Sequence, residues 1–479
     1  VSGIERVERW CGEVLKAQQT SLWHTQIGSI LQVMKKMKNN LKTAEDRLRE
    51  ALALDPKNWM ASTLMASLVN PQDGIALLKP VAARFESSSQ WKRSFIERVG
   101  FTKVLFTLAE HSWHEDQIDA AKGFWIRAVE VDAADYNRLS TCLQSYAKKE
   151  MWSDIMLILQ KIEEHSTEHL HVLSEFLSWR SGKSFPHAVA LKAALQTEQL
   201  EFLVTSYERS IEVSDERGDR ITSCQLLYQC GRVTHAMRNG SSKAVKLWRQ
   251  ALDGHDIYFL GYLISLIAPY YLQKADAAGS DTDSVSTYLE KIETLLPGGI
   301  PESDIHIPPR VYIARYYLRK GNEVQAKKIA RDVVKLCLDI LSDYDEGNDL
   351  PAYNQLLAVF IAFGDLKNAL ATRALAVINF PGEEMIGCDG DCNRVWDKSE
   401  AVQWCQDCIG SNYEEECALK IKQNALPFAV CNKDHEYLHA PLMEESEHTT
   451  PGTVPIGDEV ISVEEWLGRI EKDYVSLEN

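Results

Sequence analysis

TAEDRLREALALDPKNWMA, residues Thr43–Ala61, decides how most of this chain is read. Ala44 and Ala51 are seven positions apart, about two helical turns, so both fall on one stripe of a helix. Small side chains on that stripe let a neighbouring helix approach closely. The helix must stop at Asp55-Pro56, because proline has no amide hydrogen and its ring clashes with the preceding turn. Apolar residues resume at Trp59, so the stretch specifies a helix, a tight turn and a second helix folded back on the first.

The same spacing returns at Ala121 and Ala128, Ala244 and Ala251, and Ala369 and Ala376. In HSWHEDQIDAAKGFWIRAVEVD, Asp132 stands where Asp55 stands in the first stretch. Two later segments show the other side of the hairpin: VYIARYYLRKGNEVQAKKIA, with Ala314, Tyr317, Gly321 and Ala326, and LLAVFIAFGDLKNALATRAL, with Leu357, Phe360, Gly364 and Ala369. These sets resemble the small, aromatic, turn-glycine and small positions of the tetratricopeptide repeat. The two glycines are 43 residues apart, against about 34 in a standard repeat, which implies long helices or long loops. The motif fades over 150–220 and 255–310, which read as divergent repeats. Asp276–Ser286 and Pro297–Pro309 read as loops bracketing one helix, TYLEKIETLL. The expected fold is all-α: a tetratricopeptide-like superhelix over residues 1–380, a small zinc-binding module over 381–442, and an acidic tail with a short amphipathic helix over 443–479. The break is placed at Phe380-Pro381-Gly382.

The second informative stretch holds six of the eleven cysteines: Cys388-x3-Cys392, Cys405-x2-Cys408, Cys417 and Cys431-x3-His435-x3-His439. Thiolates and imidazoles in short pairs suit tetrahedral zinc, and a set with no acidic ligand points to a structural ion. Eight donors divide into two sites of four. A cross-braced partition joins Cys388, Cys392, Cys417 and Cys431 at one ion and Cys405, Cys408, His435 and His439 at the other. A single ion on Cys405, Cys408, Cys431 and His435 is the alternative. A segment this short buries too little apolar surface to fold alone, so metal removal should unfold it. Trp396 and Trp404 are candidates to pack beside the ions. No His-Glu-x2-His, deaminase, phosphate-loop or Gly-x-Ser-x-Gly motif occurs, so the expectation is a chain with no catalytic and no organic-cofactor residues.

Charge is uneven. Residues 381–479 carry 22 acidic against 7 basic side chains, nearly all of the net −17, and the rest of the chain is close to neutral. Without clustered Lys and Arg, nucleic acid is not an expected partner. Ile257–Leu272, the most apolar run, is short for a membrane helix and contains Pro269. The remaining cysteines, Cys11, Cys142, Cys224, Cys230 and Cys337, form no disulfide framework, which favours a cytoplasmic or nuclear setting. The chain begins at Val1 and lacks a secretory leader, which reads as a piece of a longer polypeptide.

The segment from Cys388 to Pro441 resembles the zinc module that ends many filamentous-fungal tetratricopeptide proteins, including NACHT-type signalling NTPases of the STAND class. VPIGDEVISVEEWLGRIEKDY resembles their amphipathic ending, with Val460, Val463, Trp466, Leu467 and Ile470 as its stripe. The early pairs also resemble cross-braced ZZ fingers, with two departures: Lys420 stands where a partner of Cys417 would be, and the last two histidines are three residues apart. The resemblance implies an intracellular receptor-like protein whose repeat array senses a ligand or holds an upstream NTPase inactive, while the stacked hairpins themselves point to a non-enzymatic scaffold or sensor that holds a protein or peptide in a concave groove. Rival readings are a ubiquitin-ligase-like adaptor, a reader of basic histone-like tails, and a purely structural regulatory fragment of a STAND NTPase. The module is expected to cap the last apolar face around Leu375, Val377 and Ile378. Oligomeric state is not legible.

Overall fold

The computed structural model describes residues 41–476 apart from 134, 166–171, 179–185, 255–256, 299, 302, 304, 344–348, 381–384, 391, 393–394, 398–399, 427–428 and 444–451. Cys11 and the expected break at Pro381-Gly382 lie outside the described residues, as does the side chain of Trp396. The chain divides into two compact units, Val1–Phe176 and Leu177–Asn479.

The first unit is a run of helices: α1 (Leu41–Leu54), α2 (Trp59–Ala66), α3 (Pro71–Ser87), α4 (Phe95–His114), α5 (Ile118–Val131), α6 (Tyr136–Lys148) and α7 (Trp152–Glu163). A short helix, α8 (Val172–Ser178), spans the division. The second unit continues with α9 (Pro186–Gln196), α10 (Leu200–Glu216), α11 (Arg220–Ala236), α12 (Ser241–Asp253), α13 (Ile257–Ala278), α14 (Thr282–Glu293), α15 (Pro309–Arg319), α16 (Glu323–Leu341), α17 (Asp349–Phe363) and α18 (Leu366–Asn379). Many neighbouring helices pack on one another as hairpins, among them α4 on α5 in the first unit and α10 on α11 and α11 on α12 in the second. The fold is all-α apart from the small strands of the C-terminal module, and α13, with Pro269 inside it, is a buried helix of the stack. No described helix is long and apolar enough to cross a membrane.

All eight alanines of the recurring pairs are buried. After the second alanine of a pair the helix ends in the same way twice, Asp55 N donating to Ala51 O and Asp132 N to Ala128 O, both at 2.9 Å. Trp113, Trp125 and Tyr146 then fill the space between hairpins, their ring centres 5.0–5.3 Å apart.

The turns explain why the repeat motif fades. Asp116, Glu150, Glu198, Gly218, Asn239, Gly279, Gly321 and Gly364 lie between helices with positive φ, the left-handed closure that ends a helix. Where the residue is Gly218, Gly321 or Gly364, the next side chain, Asp219, Asn322 or Asp365, caps the following helix on the amide of Thr222, Gln325 or Asn368. At Asp116, Glu150 and Glu198 the same turn is made without glycine, at a cost of roughly 1–2 kcal/mol each. Glu150 and Glu198, in the divergent stretch 150–220, therefore make turns whose signal is missing from the sequence.

One expected loop is not a loop. Most of Asp276–Ser286 is helix, because left-handed Gly279 closes α13 and Asp281 opens α14 by accepting from Ser284 N. Its polar residues are caps, and Asp276 is held by Arg319 at 2.9 Å and Lys320 at 3.0 Å. The stretch before Pro309 is largely non-helical, and Pro309 itself begins α15.

The C-terminal module adds β1 (Met385–Gly387), β2 (Val395–Asp397), β3 (Val402–Cys405), β4 (Asn412–Tyr413), α19 (Glu415–Lys422), β5 (Tyr437–Ala440), β6 (Thr453–Ile456), β7 (Glu459–Ser462) and α20 (Val463–Ile470), which runs on as a π-helical turn to Val475. β1–β2 and β6–β7 are antiparallel hairpins, and β3 is the centre of an antiparallel β4-β3-β5 sheet. No division of the chain falls at Phe380. Val402, Trp404, Val454, Trp466 and Ile470 share one apolar core with Leu375 and the helices from α12 onward, so module and hairpins belong to the same unit.

The last hairpin is covered by the module together with the chain end. Trp466 Nε1 donates to Asn368 Oδ1 at 2.9 Å, Tyr474 OH donates to Asp365 Oδ2 at 2.9 Å, and the Tyr474 ring meets Phe360 and Phe363 edge-on. Leu375 is buried, whereas Val377 and Ile378 are half-buried. Val460 is exposed on β7 and does not belong to the amphipathic stripe, because that segment is a strand whose side chains alternate.

Candidate metal centre

Antiparallel pairing of β5 with β3 sets Tyr437 opposite Cys405 and so brings the Cys431–His435 loop against the Cys405-x2-Cys408 turn. Cys408 N donates to Cys405 Sγ at 3.2 Å, which closes that turn around the sulfur. The Sγ atoms of Cys405, Cys408 and Cys431 lie 3.5, 3.2 and 3.3 Å from His435 Nδ1, and Cys405 and Cys431 Sγ are 3.4 Å apart. Zinc bonds of about 2.0–2.3 Å place tetrahedral donors about 3.3–3.8 Å from one another, so four donors at this spacing fit one ion. The three cysteines are buried and His435 is half-buried. The Asn432 side-chain amide sits 3.0 Å from the outer nitrogen, Nε2, and orients the ring.

Electrostatics make the same point. Burial pushes the Cys405 and Cys408 thiols well above their usual range, while hydrogen bonds from Cys405 and then Cys408 draw Cys431 far below it. Ionising all three in this buried space would require a compensating cation.

A second group forms beside it, in the same small apolar cluster. The β1–β2 hairpin carries Cys388 and Cys392, and α19 carries Cys417. The three Sγ atoms lie within 4.8 Å of one another. Asp389 exchanges hydrogen bonds with Asn412, its N donating to Asn412 O at 2.9 Å and its Oδ2 accepting from Asn412 N at 2.8 Å, which fastens the hairpin to β4.

The cross-braced partition is not the one the chain makes. Cys431 joins Cys405, Cys408 and His435, the four residues of the single-ion alternative, and does not join the first pair. His439 belongs to neither cluster. It is exposed on β5 with Nδ1 2.7 Å from Gln403 Nε2, because extended chain, at about 3.3 Å per residue, carries it away from His435.

Sequence reading missed how the four-donor site is tied to the helices. Arg315, buried on α15, donates from Nε to Asp407 Oδ1 at 3.0 Å, from Nη2 to Glu436 Oε2 at 2.7 Å and from Nη1 to Ala362 O at 3.1 Å. Asp407 lies inside the Cys405-x2-Cys408 turn and also accepts from Glu436 N at 3.2 Å, so one guanidinium joins both ligand loops to the array. Tyr312 OH donates to Ile409 O at 2.6 Å, and Arg373 donates to Pro441 O and Glu400 O, with its guanidinium 5.7 Å from the Trp404 ring centre. An arginine in the apolar run of Val311–Leu318 was the available signal.

No protein-family model matches this chain, and no curated protein matches it. Among solved structures it is similar to a circular tandem repeat protein with novel repeat topology, at 12% identity over 78% of this chain and 86% of that one, with a TM-score of 0.19. It is also similar to the structure titled Naa15/Naa10 bound to HypK-THB, at 11% identity over 77% of this chain and 72% of that one, with a TM-score of 0.15. Neither likeness carries a functional argument.

Proposed function

We propose that this chain is a non-enzymatic interaction scaffold: its helical hairpins hold a protein or peptide partner, and a structural zinc ion on Cys405, Cys408, Cys431 and His435 fixes the module that closes the second unit. The observation that supports this reading most directly is a groove in the first unit, about 370 Å³, floored by Leu105 and Phe124 between small residues Ala82, Ala83, Ala120 and Gly123. Small residues leave room for an incoming side chain, and Lys79, Glu86 and Arg127 supply charge at the groove. Nothing lies within 4 Å of where a Gly123 side chain would begin, so the floor is open there. Tandem helical repeats use such surfaces for binding.

The ion is structural in this reading because four protein donors complete its tetrahedron and leave no position for a substrate. Cytosol or nucleus suits a site that needs reduced thiols. The fungal resemblance gives an intramolecular form of the same idea, with the groove holding a segment of a signalling domain.

A test is to select peptides from a displayed library on the whole protein and titrate the purified hits against Gly123→Trp, which fills the groove from its open side. At least a tenfold loss of affinity with unchanged melting is expected. Hits that bind the variant equally well, or a library that yields none, would overturn the groove as the binding site.

A further inference from the structure

We propose that Cys388, Cys392 and Cys417 form a second metal site of three thiolates, open at its fourth position to an exogenous thiol, so that its ion exchanges while the ion of the four-donor site does not. This goes beyond the scaffold reading and does not depend on the groove.

Three features point to thiolates gathered on a cation. The Sγ atoms lie within 4.8 Å of one another. Two backbone amides donate to Cys388 Sγ, Gly390 N at 3.4 Å and Glu414 N at 3.3 Å, which fixes the position of the sulfur. Gly390 is also the residue that lets the hairpin turn close over α19, since a Cβ there would fall 2.5 Å from both Cβ and Sγ of Cys417. The approach of the two segments is thus built into the backbone.

The fourth position is the difference from the neighbouring site. Among the described residues no further Cys, His, Asp or Glu atom joins these three. Cys417 is buried and Cys388 half-buried, but Cys392 is exposed, so the cluster has one side toward solvent. Lys420, one turn beyond Cys417 on α19, stands where a second cysteine of a Cys-x2-Cys pair would be, and its ammonium pairs with Glu416 at 3.1 Å. Three thiolates on Zn²⁺ leave a net charge of −1, which makes the ion a weak activator of water and favours a soft fourth ligand. Ligand exchange then consists of one water leaving, one thiolate binding and the thiol proton passing to buffer, with no change of oxidation state.

The test uses the whole protein with Co²⁺ replacing the native metal, and 2-mercaptoethanol as the thiol. Two Co²⁺ per chain are expected, with the visible absorption of one changing on thiol addition. Cys392→Ser, which alters an exposed residue, should leave one ion and no response. Lys420→Cys should keep two ions and lose the response, because a fourth protein thiolate closes the site. Isotopic zinc exchange should be at least tenfold faster for one ion than for the other in the unaltered chain, and uniform in Lys420→Cys. A chain that binds one ion while Cys388, Cys392 and Cys417 alkylate as ordinary thiols would overturn the site. Two ions that both ignore the thiol would overturn its openness. A response that persists in Lys420→Cys would overturn the placement of the open position beside α19.

Discussion

Two sulfur clusters stand side by side in one small module and are held in different ways. Cys405, Cys408, Cys431 and His435 bring four donors together, and the loops that carry them are anchored to the helical array through Arg315 and Tyr312. Cys388, Cys392 and Cys417 supply three donors, one of them exposed, on a short hairpin that leans on β4 and α19. The first arrangement would convert the affinity for a bound metal into the stability of an interface. The second leaves metal affinity largely local, which is the condition under which an ion can come and go without unfolding what surrounds it.

The largest break in this comparison should come from Cys408→Ser set against Cys392→Ser. Structural zinc contributes on the order of 10 kcal/mol of apparent binding free energy that appears as folding free energy. Cys408→Ser should therefore release an ion and abolish hydrogen-exchange protection in the module, whereas Cys392→Ser should keep that protection. Equal loss in the two variants, read by elemental analysis and hydrogen exchange, would erase the distinction.

The anchoring can be broken without touching a ligand. Arg315→Leu takes from buried Asp407 the guanidinium that hydrogen-bonds it, leaving Arg319 at 3.7 Å, and removing one member of a buried pair costs about 3–5 kcal/mol. Urea unfolding should show that loss with the metal content near unity at the four-donor site. A change below 1 kcal/mol would mean that the guanidinium contributes little to docking. The side-chain pair with Glu436 is more exposed, so Glu436→Gln should cost well under half as much.

Gly390→Ala sharpens the comparison from the other side. The new Cβ meets backbone-proximal and sulfur atoms of Cys417, an overpacking worth about 1–3 kcal/mol. Metal should be lost from the three-cysteine cluster alone, and retention of both ions would show that the hairpin yields easily.

The smallest effect is expected at His439. His439→Gln should leave metal stoichiometry unchanged and stability within about 0.5 kcal/mol, as for an exposed surface residue. His435→Ala should remove an ion. Loss of metal from His439→Gln would restore the sequence-based ligand assignment.

How much of this could be read beforehand depended on whether the information was local. The alanine pairs are legible because a stripe on one helix is a property of seven consecutive residues, and all eight are buried as their spacing requires. Gly321 and Gly364 were legible because glycine is the ordinary occupant of a left-handed turn, while Glu150 and Glu198 make the same turn with no such sign. Asp276–Ser286 looked like a loop because capping residues and loop residues share one composition, and only the hydrogen bond from Ser284 N to Asp281 tells them apart.

At the module the boundary between the two kinds of information is sharper. Sequence by itself determined that cysteine and histidine donors would gather near the C-terminus and that helices would precede them, because donor chemistry and helical periodicity are written in neighbouring residues. Which donors share an ion was decided by the pairing of β5 with β3, which brings Cys431 and His435 to Cys405 and leaves His439 on a strand. That the module is one unit with the helices was decided by Arg315 meeting Asp407 across 92 positions of chain. A contact over that separation has no local period or spacing to announce it, because it exists only once the hairpins between have folded.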